Sequence, residues 1–159
     1  MNITVITSAP KMIKSCIDST ILRKAVIGDH VDFHLIDIRD FADNDYKQID
    51  DTPFGGGDGM VLMAEPLIRS IEHSFDLMSS SIKNTNIIYP TPQGRQWNQE
   101  QAEKNVHIKN FIFICGRYKG VDQRVIDKYV THEYSIGDYI ISNGELSSMV
   151  IIDLSLIHI

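Results

Sequence analysis

The stretch from Cys115 to Met149, CGRYKGVDQRVIDKYVTHEYSIGDYIISNGELSSM, determines how the chain is organised. Gly116 directly follows residues 111–115, FIFIC, an apolar run that is typical of a fully buried strand. A glycine at the end of such a strand lets the backbone turn sharply and approach a ligand closely. Small ligands of open α/β sheets bind at the carboxyl ends of the strands. This stretch therefore predicts a pocket whose walls consist mainly of main-chain groups.

The length and composition of the chain are those of one globular domain. Of its 159 residues, 43% are hydrophobic, which is enough for a substantial core. No apolar run approaches the length of a membrane span and residues 1–6 do not resemble a signal peptide, so we expect a cytoplasmic protein with no membrane partner. Cys16 and Cys115 are expected to be reduced core thiols. The formal net charge of −6, taken alone, argues against a nucleic-acid partner.

Apolar periodicity predicts strands that alternate with helices. The predicted strands are residues 3–6, 31–38, 87–89, 111–115 and 133–135. The predicted helices are residues 10–27, ended by Gly28, then 60–75, 97–104, 121–129 and a last helix from residue 145. This order indicates an α/β fold with a mostly parallel sheet and helices on both faces. The strands that end near Tyr89, Cys115 and Ser135 are expected to form the walls of one pocket.

A long polar loop, residues 39–59, ends in Gly55-Gly56-Gly57-Asp58-Gly59. The glycines lack the Lys-Ser/Thr of a phosphate loop and the spacing of a dinucleotide motif, so both nucleotide motifs are rejected. The loop is either a hinge that closes over a substrate or simply a flexible connection, and spacing alone does not decide between them. Asp50 could present a carboxylate to a substrate, or be a solvated turn residue. The six histidines show no metal-ligand spacing, so no metal is assigned.

Four sequence blocks together resemble one family. They are DDTPFGGGDGM at residues 50–60, PQGR at 92–95, CGRY at 115–118 and SIGDY at 135–139. In this order and spacing, the chain from residue 1 to 153 resembles the bacterial tRNA (guanine-N1)-methyltransferases of the SPOUT superfamily. The resemblance implies an α/β domain with a C-terminal trefoil knot, S-adenosylmethionine as methyl donor, tRNA as substrate and a cytoplasmic homodimer. The implied reaction methylates N1 of guanosine 37.

The resemblance also assigns roles to residues. The donor would contact Tyr89, Thr91, Pro92, Gly94, Gly116, Arg117, Tyr118, Ile136, Gly137, Asp138, Tyr139, Ile140, Ile141 and Gly144. The RNA substrate would contact Asp50, Gly55, Gly56, Gly57 and Gly59. Two other functions are considered for the chain. It could be a SPOUT methyltransferase that acts on another RNA, or a module that only binds the cofactor.

The chain departs from the family in two ways. The family's catalytic aspartate and arginine, and its C-terminal tRNA-binding domain, would follow residue 153. Residues 154–159 are interpreted as a foreign tail, and the fragment is expected to be inactive or nearly so. Within the matching part, Lys119 stands where many members have glutamate, Asn143 where a second glycine is common, and Ser147 where proline is frequent.

Overall fold

A parallel sheet forms the centre of the computed structural model, which describes residues 1–157. Within that range, five strands pair side by side: β1 Asn2–Thr7, β2 Asp32–Asp37, β5 Asn86–Gln96, β6 Asn110–Ile114 and β7 His132–Ser135. Their order across the sheet is β2-β1-β6-β5-β7, and every neighbouring pair is parallel. Two short strands, β3 Asp50–Asp51 and β4 Val61–Leu62, form a separate antiparallel pair. The predicted mostly parallel α/β fold is confirmed.

The helices cover both faces of the sheet, as predicted. Their bounds are α1 Pro10–Ile17, α2 Thr20–Ile27, α3 Ala64–Leu77, α4 Gln99–Asn105, α5 Gln123–Tyr129 and α6 Gly144–Leu156. Because side chains alternate along a strand, Phe111 and Phe113 of β6 join a core with α1, α2, α4 and α6. Ile112 and Ile114 of the same strand join the opposite core, which α3 and α5 cover. Strand β6 is therefore buried on both faces, which explains its unbroken apolar sequence.

The single helix predicted for residues 10–27 is wrong, because the segment is two helices. Helix α1 ends at Ile17 and α2 begins at Thr20. Between them Ser19 is extended, and its hydroxyl donates to the Cys16 carbonyl over 2.8 Å. A serine side chain that satisfies a helix-end carbonyl competes with the backbone and favours a break. Apolar periodicity continued through this break and concealed it.

The start predicted for the next helix is also wrong. Residues 60–63 precede α3, and Val61 and Leu62 form β4 instead. The Leu62 N–H donates to the Gly120 carbonyl over 3.0 Å, so this segment pairs with the loop that follows β6. A non-local backbone pairing of this kind leaves no trace in helical periodicity.

Strand β5 is longer than the strand predicted for residues 87–89, since it runs from Asn86 to Gln96. Both Pro90 and Arg95 face Tyr134 of β7, so residues 91–94 protrude as a bulge. Proline has no N–H for the ladder, and a bulge is where a strand tolerates it. The bulge carries residues 91–94, TPQG, out of the sheet at its carboxyl edge.

Two expectations for the C-terminal part remain predictions. The knot is one of them. The other is the interpretation of residues 154–159 as a foreign tail. Residues 154–156 continue α6, and Leu156 is buried in a core. Residues 158 and 159 lie outside the described range. Across residues 1–157, no helix is both long and apolar enough to cross a membrane.

Candidate functional site

A cavity of about 640 Å³ lies at the carboxyl edge of the sheet. Its walls come from the β5 bulge, the turn after β6, and the segment that leads from β7 into α6. Tyr89, Gly116 and Ile136, one from each predicted strand end, all line it. The prediction that these three strand ends enclose one pocket is confirmed.

The structure brings most of the predicted donor-binding residues to this cavity. Those that line it are Tyr89, Thr91, Pro92, Gly116, Arg117, Tyr118, Ile136, Tyr139, Ile140, Ile141 and Gly144. Three others, Gly94, Gly137 and Asp138, are outside its lining. Gly94 packs on the β7 backbone, where a Cβ would lie 2.6 Å from Tyr134 N. Gly137 and Asp138 lie in the loop that follows β7. A Cβ at Gly137 would lie 2.4 Å from the Tyr139 ring, so this glycine leaves room for a ring that lines the cavity.

Two glycines hold opposite walls in close contact. The Gly144 N–H donates to the Gly116 carbonyl over 2.8 Å, which fixes the first residue of α6 to the end of β6. A Cβ at Gly144 would lie 2.4 Å from Gly116 N, closer than any side chain tolerates. A Cβ at Gly116 would meet the Tyr89 ring at 2.8 Å. The walls can therefore approach this closely only because these residues lack side chains.

The turn after β6 is shaped by left-handed backbone. Tyr118 has φ of 59°, Gly120 has φ of 131°, and the Gly120 N–H donates to the Arg117 carbonyl over 3.0 Å. Positive φ is uncommon for a residue with a bulky side chain and marks a constrained turn. The turn directs the main chain of residues 116–121 along the cavity.

Tyr89 forms a buried wall of the cavity. Burial raises the pKa of its hydroxyl, and the nearby Glu133 carboxylate raises it further, while hydrogen bonds with the Thr91 side chain and the Val121 backbone oppose the rise. The phenol is therefore neutral around pH 7. It serves as an apolar surface with one polar end.

A buried ion pair lies behind the wall formed by the β6 turn. Glu145, in the first turn of α6, has 0% of its side chain exposed, and its Oε1 accepts a hydrogen bond from Thr7 Oγ1 at 2.6 Å. Arg117 Nε lies 3.7 Å from the same oxygen. Next to them Cys115 Sγ lies 3.4 Å from Ser148 Oγ, and burial raises the pKa of that thiol. Sequence reasoning missed Glu145, although a carboxylate that opens an otherwise apolar helix was a usable signal.

The glycine loop lies over a second cavity, of about 740 Å³, between the loop, α3 and α5. Of the predicted substrate residues, only Gly55 lines this cavity. A Cβ added at Gly56 or Gly57 would meet no atom closer than 4.0 Å. Asp50 lies in β3. The exposed Phe54 ring lies 4.8 Å beneath the Arg124 guanidinium. Four glycines of the loop have positive φ, a backbone conformation that glycine adopts without steric cost.

Lys119 attaches the glycine loop to the turn after β6. It lines the cavity at the sheet edge, and its N–H donates to the Met60 carbonyl over 3.0 Å. Its side chain crosses Gly59, where a Cβ would lie 2.6 Å from Lys119 Cε. The glycine loop is thus attached to the turn that lines the first cavity. In the part of the chain that the structure describes, no cluster of three or more metal-ligating side chains occurs.

A parallel α/β sheet with a cavity at its carboxyl edge defines a small-ligand-binding α/β domain. A family profile described as tRNA (Guanine-1)-methyltransferase TrmD matches residues 1–159. The chain belongs to this family, which confirms the resemblance seen in the sequence.

Individual relatives agree with that assignment. A tRNA (guanine-N(1)-)-methyltransferase of Christiangramia forsetii is 44% identical over 153 residues, which are 96% of this chain and 66% of the relative. One of Clostridioides difficile is 39% identical over 96% of this chain and 65% of its own length. The crystal structure of the tRNA (m1G37) methyltransferase from Aquifex aeolicus is similar with a TM-score of 0.85 and 32% identity, over 98% of this chain and 68% of that one. The chain spans just under two thirds of the length of these two curated relatives.

Proposed function

We propose that the protein to which this chain belongs transfers a methyl group from S-adenosylmethionine to N1 of guanosine 37 in tRNA. The observation that carries the proposal is the cavity in which three strand ends meet, lined by most of the residues that the resemblance assigns to the donor. Its volume of about 640 Å³ lies within the range of cavities that hold drug-sized ligands. The names of the relatives support the reaction.

The residues present suit an adenosine-containing ligand. Backbone N–H and C=O groups of residues 136–141 would hold the adenine and ribose, as the resemblance implies. The Tyr89 ring and Pro92 of the bulge add apolar surface to the cavity. The donor supplies a methyl group on a sulfonium, which is activated for transfer without help from a metal. The chain's own contribution is to orient that methyl and to exclude water from the cavity.

The acceptor imposes a second requirement. Guanine N1 carries a proton at neutral pH, so a base must remove it and a cation must stabilise the charge that develops on O6. In the resemblance, the base and an arginine lie beyond residue 153. We therefore assign to residues 1–153 the binding of the donor, and to the glycine loop attached through Lys119 the covering of the acceptor base.

We further propose that the domain forms a homodimer in the cytoplasm. Helix α6 is apolar on several sides, and Leu146, Val150 and Ile157 are exposed on its outer surface. They recur at spacings of four and seven residues, which places them on one face. Ile140 beside the cavity is 83% exposed. A second copy that covers this face would bury an apolar patch that monomers rarely expose. Replacing Val150 with glutamate should shift the sedimentation coefficient toward a monomer, whereas the matched change of Arg23 to glutamate on α2 should not.

The proposed reaction is tested with the whole protein and a tRNA transcript that carries guanosine 37. Nucleoside mass spectrometry should detect 1-methylguanosine with this transcript and none when residue 37 is adenosine. A ribosomal RNA competitor tests the alternative RNA substrate, since equal methylation of both RNAs would favour that alternative. Absence of 1-methylguanosine, together with no donor binding at about 1 mM by calorimetry, would refute the proposal. The same assay on residues 1–159 alone tests the expectation that this fragment is inactive or nearly so.

A further inference from the structure

Glu145 and Arg117 form an incomplete ion pair beside the donor cavity. Glu145 has 0% of its side chain exposed, which is unusual for a carboxylate unless its partners satisfy it. One oxygen accepts the hydrogen bond from Thr7, while Oε2 has no hydrogen-bond partner. Arg117 Nε is also buried without a hydrogen-bond partner, although it lies 3.7 Å from Glu145 Oε1. That separation is an ion-pair distance but too long for a hydrogen bond.

The arrangement fixes the direction of the arginine. Nε is the buried atom and faces Glu145, while 34% of the Arg117 side chain is exposed and the residue lines the cavity. The exposed part therefore belongs to atoms other than Nε. A guanidinium carries five N–H donors in a planar fork, so those on the two Nη atoms remain for a ligand in the cavity.

The carboxylate is itself held in place from two sides. Thr7, at the end of β1, donates to it over 2.6 Å, and the first turn of α6 carries it. Negative charge is favourable near a helix N-terminus. Glu145 does not line the cavity, so it acts through Arg117 rather than on a ligand.

We propose that Glu145, held by Thr7, is a positioning residue that aims Arg117 into the cavity as its anion-binding side chain. The ligand class is an oxyanion that accepts two parallel N–H bonds. Within the proposed function, on which this inference rests, two groups have that chemistry: the carboxylate of the methyl donor's amino-acid half and a phosphate of the RNA. Their shared chemistry is what the site selects, and the experiment separates the two sources.

The first arm compares two donors by calorimetry with residues 1–159. S-adenosylmethionine carries the carboxylate, and its decarboxylated form lacks only that group. If Arg117 binds the donor carboxylate, wild type should prefer S-adenosylmethionine by about 10- to 100-fold, as expected for a charged bidentate contact. Arg117→Met should reduce this preference to about 1, and Arg117→Lys should restore part of it because Lys keeps the charge without the fork.

The second arm tests the positioning role. Glu145→Gln keeps the shape and the contact with Thr7 but removes the charge that orients Arg117. It should reduce the donor preference several-fold while Arg117 is still present, and Thr7→Val should do the same to a smaller extent. A residue that merely supported the fold would weaken both donors equally and leave their ratio unchanged. Thermal unfolding checks that each variant folds, and Arg23→Met, at an exposed position of α2 outside the cavity lining, is the matched control.

The third arm measures tRNA binding at several salt concentrations. If the anion is an RNA phosphate, Arg117→Met leaves the donor preference at the wild-type value and lowers the slope of log K against log salt by about 0.7 to 0.9. Either the loss of donor preference or the lower slope supports an anion site at Arg117. If Arg117→Met changes neither the donor preference nor the salt slope, the anion site at Arg117 is overturned. If Glu145→Gln leaves both quantities at their wild-type values, the positioning role of Glu145 is overturned. Failure of the wild-type protein to bind either donor refutes the proposed function instead, and the salt slope then decides the inference by itself.

Discussion

Replacing Gly144 with alanine should separate α6 from β6 and damage the donor cavity. The added Cβ would lie 2.4 Å from Gly116 N and 2.9 Å from the Cys115 backbone, so no side-chain rotation relieves the contact. A normal van der Waals separation requires the two segments to move apart by about 1 Å. The hydrogen bond from Gly144 N–H to the Gly116 carbonyl, now 2.8 Å, would then exceed bonding distance.

The expected cost follows from these two effects. Overpacking costs about 1–3 kcal/mol and the lost hydrogen bond about 1 kcal/mol, which together lower the free energy of unfolding by about 2–4 kcal/mol. For a chain of this length the melting temperature should fall by about 5–15 °C. Urea unfolding of both proteins measures the first quantity, and calorimetry with S-adenosylmethionine should show donor affinity at least about tenfold weaker.

Ser142→Ala provides the matched control for Gly144→Ala. Ser142 is exposed, lies two residues before Gly144 in the loop that leads into α6, and already has a Cβ. This change should alter stability by less than about 0.5 kcal/mol. If Gly144→Ala also changes the free energy of unfolding by less than about 0.5 kcal/mol and binds the donor normally, then the close contact does not hold the cavity together.

Three further predictions concern single side chains. At pH 8 a thiol reagent should modify the half-buried Cys16 in the native protein and reach Cys115 only after urea is added, because burial raises the pKa of Cys115. Burial lowers the pKa of His132 below its usual 6.5. The neutral imidazole therefore stabilises the fold fully above pH 6.5, and this stability is lost as the pH falls from 6.5 through the lowered pKa. His132→Gln should flatten the plot of unfolding free energy against pH over this range. Asp122→Ala should cost about 1 kcal/mol in urea unfolding, because Asp122 caps α5 by accepting from the Arg124 N–H.

Strong local patterns made much of the fold predictable. Residues 111–115 are apolar at every position because β6 is covered on both faces, and a short apolar run of this kind is typical of a strand in the middle of a parallel sheet. Asparagine is a preferred helix cap, and the Asn98 side chain accepts from the Gln101 N–H at the start of α4. Glycines at strand ends located the cavity, because only glycine permits the approach seen between Gly144 and Gly116.

What the sequence could not predict depends on partners distant in the chain. Strand β5 has a bulge because both Pro90 and Arg95 pair with Tyr134 of β7. No local sequence rule predicts that register. A carboxylate that opens an apolar helix is a signal in the sequence, but the hydrogen-bond partner of Glu145 is Thr7, 138 residues away, and no local rule identifies that partner. The residues proposed to contact RNA are in the same situation, since a Cβ at Gly55, Gly56 or Gly57 of the glycine loop would meet nothing closer than 4.0 Å.

The cavity is assembled by backbone bonds between remote segments, and this links ligand binding to the docking of α6. Gly144 bonds to Gly116, Trp97 N–H donates to the Ser135 carbonyl over 2.7 Å, and Leu62 bonds to Gly120. Each bond joins a wall of the cavity to a different part of the chain. If α6 detaches locally, the Gly144 wall, Glu145 and the support of Arg117 are lost together. A donor that binds only the docked state must therefore stabilise α6 by the free energy of its own binding, in proportion to the logarithm of its concentration over its Kd.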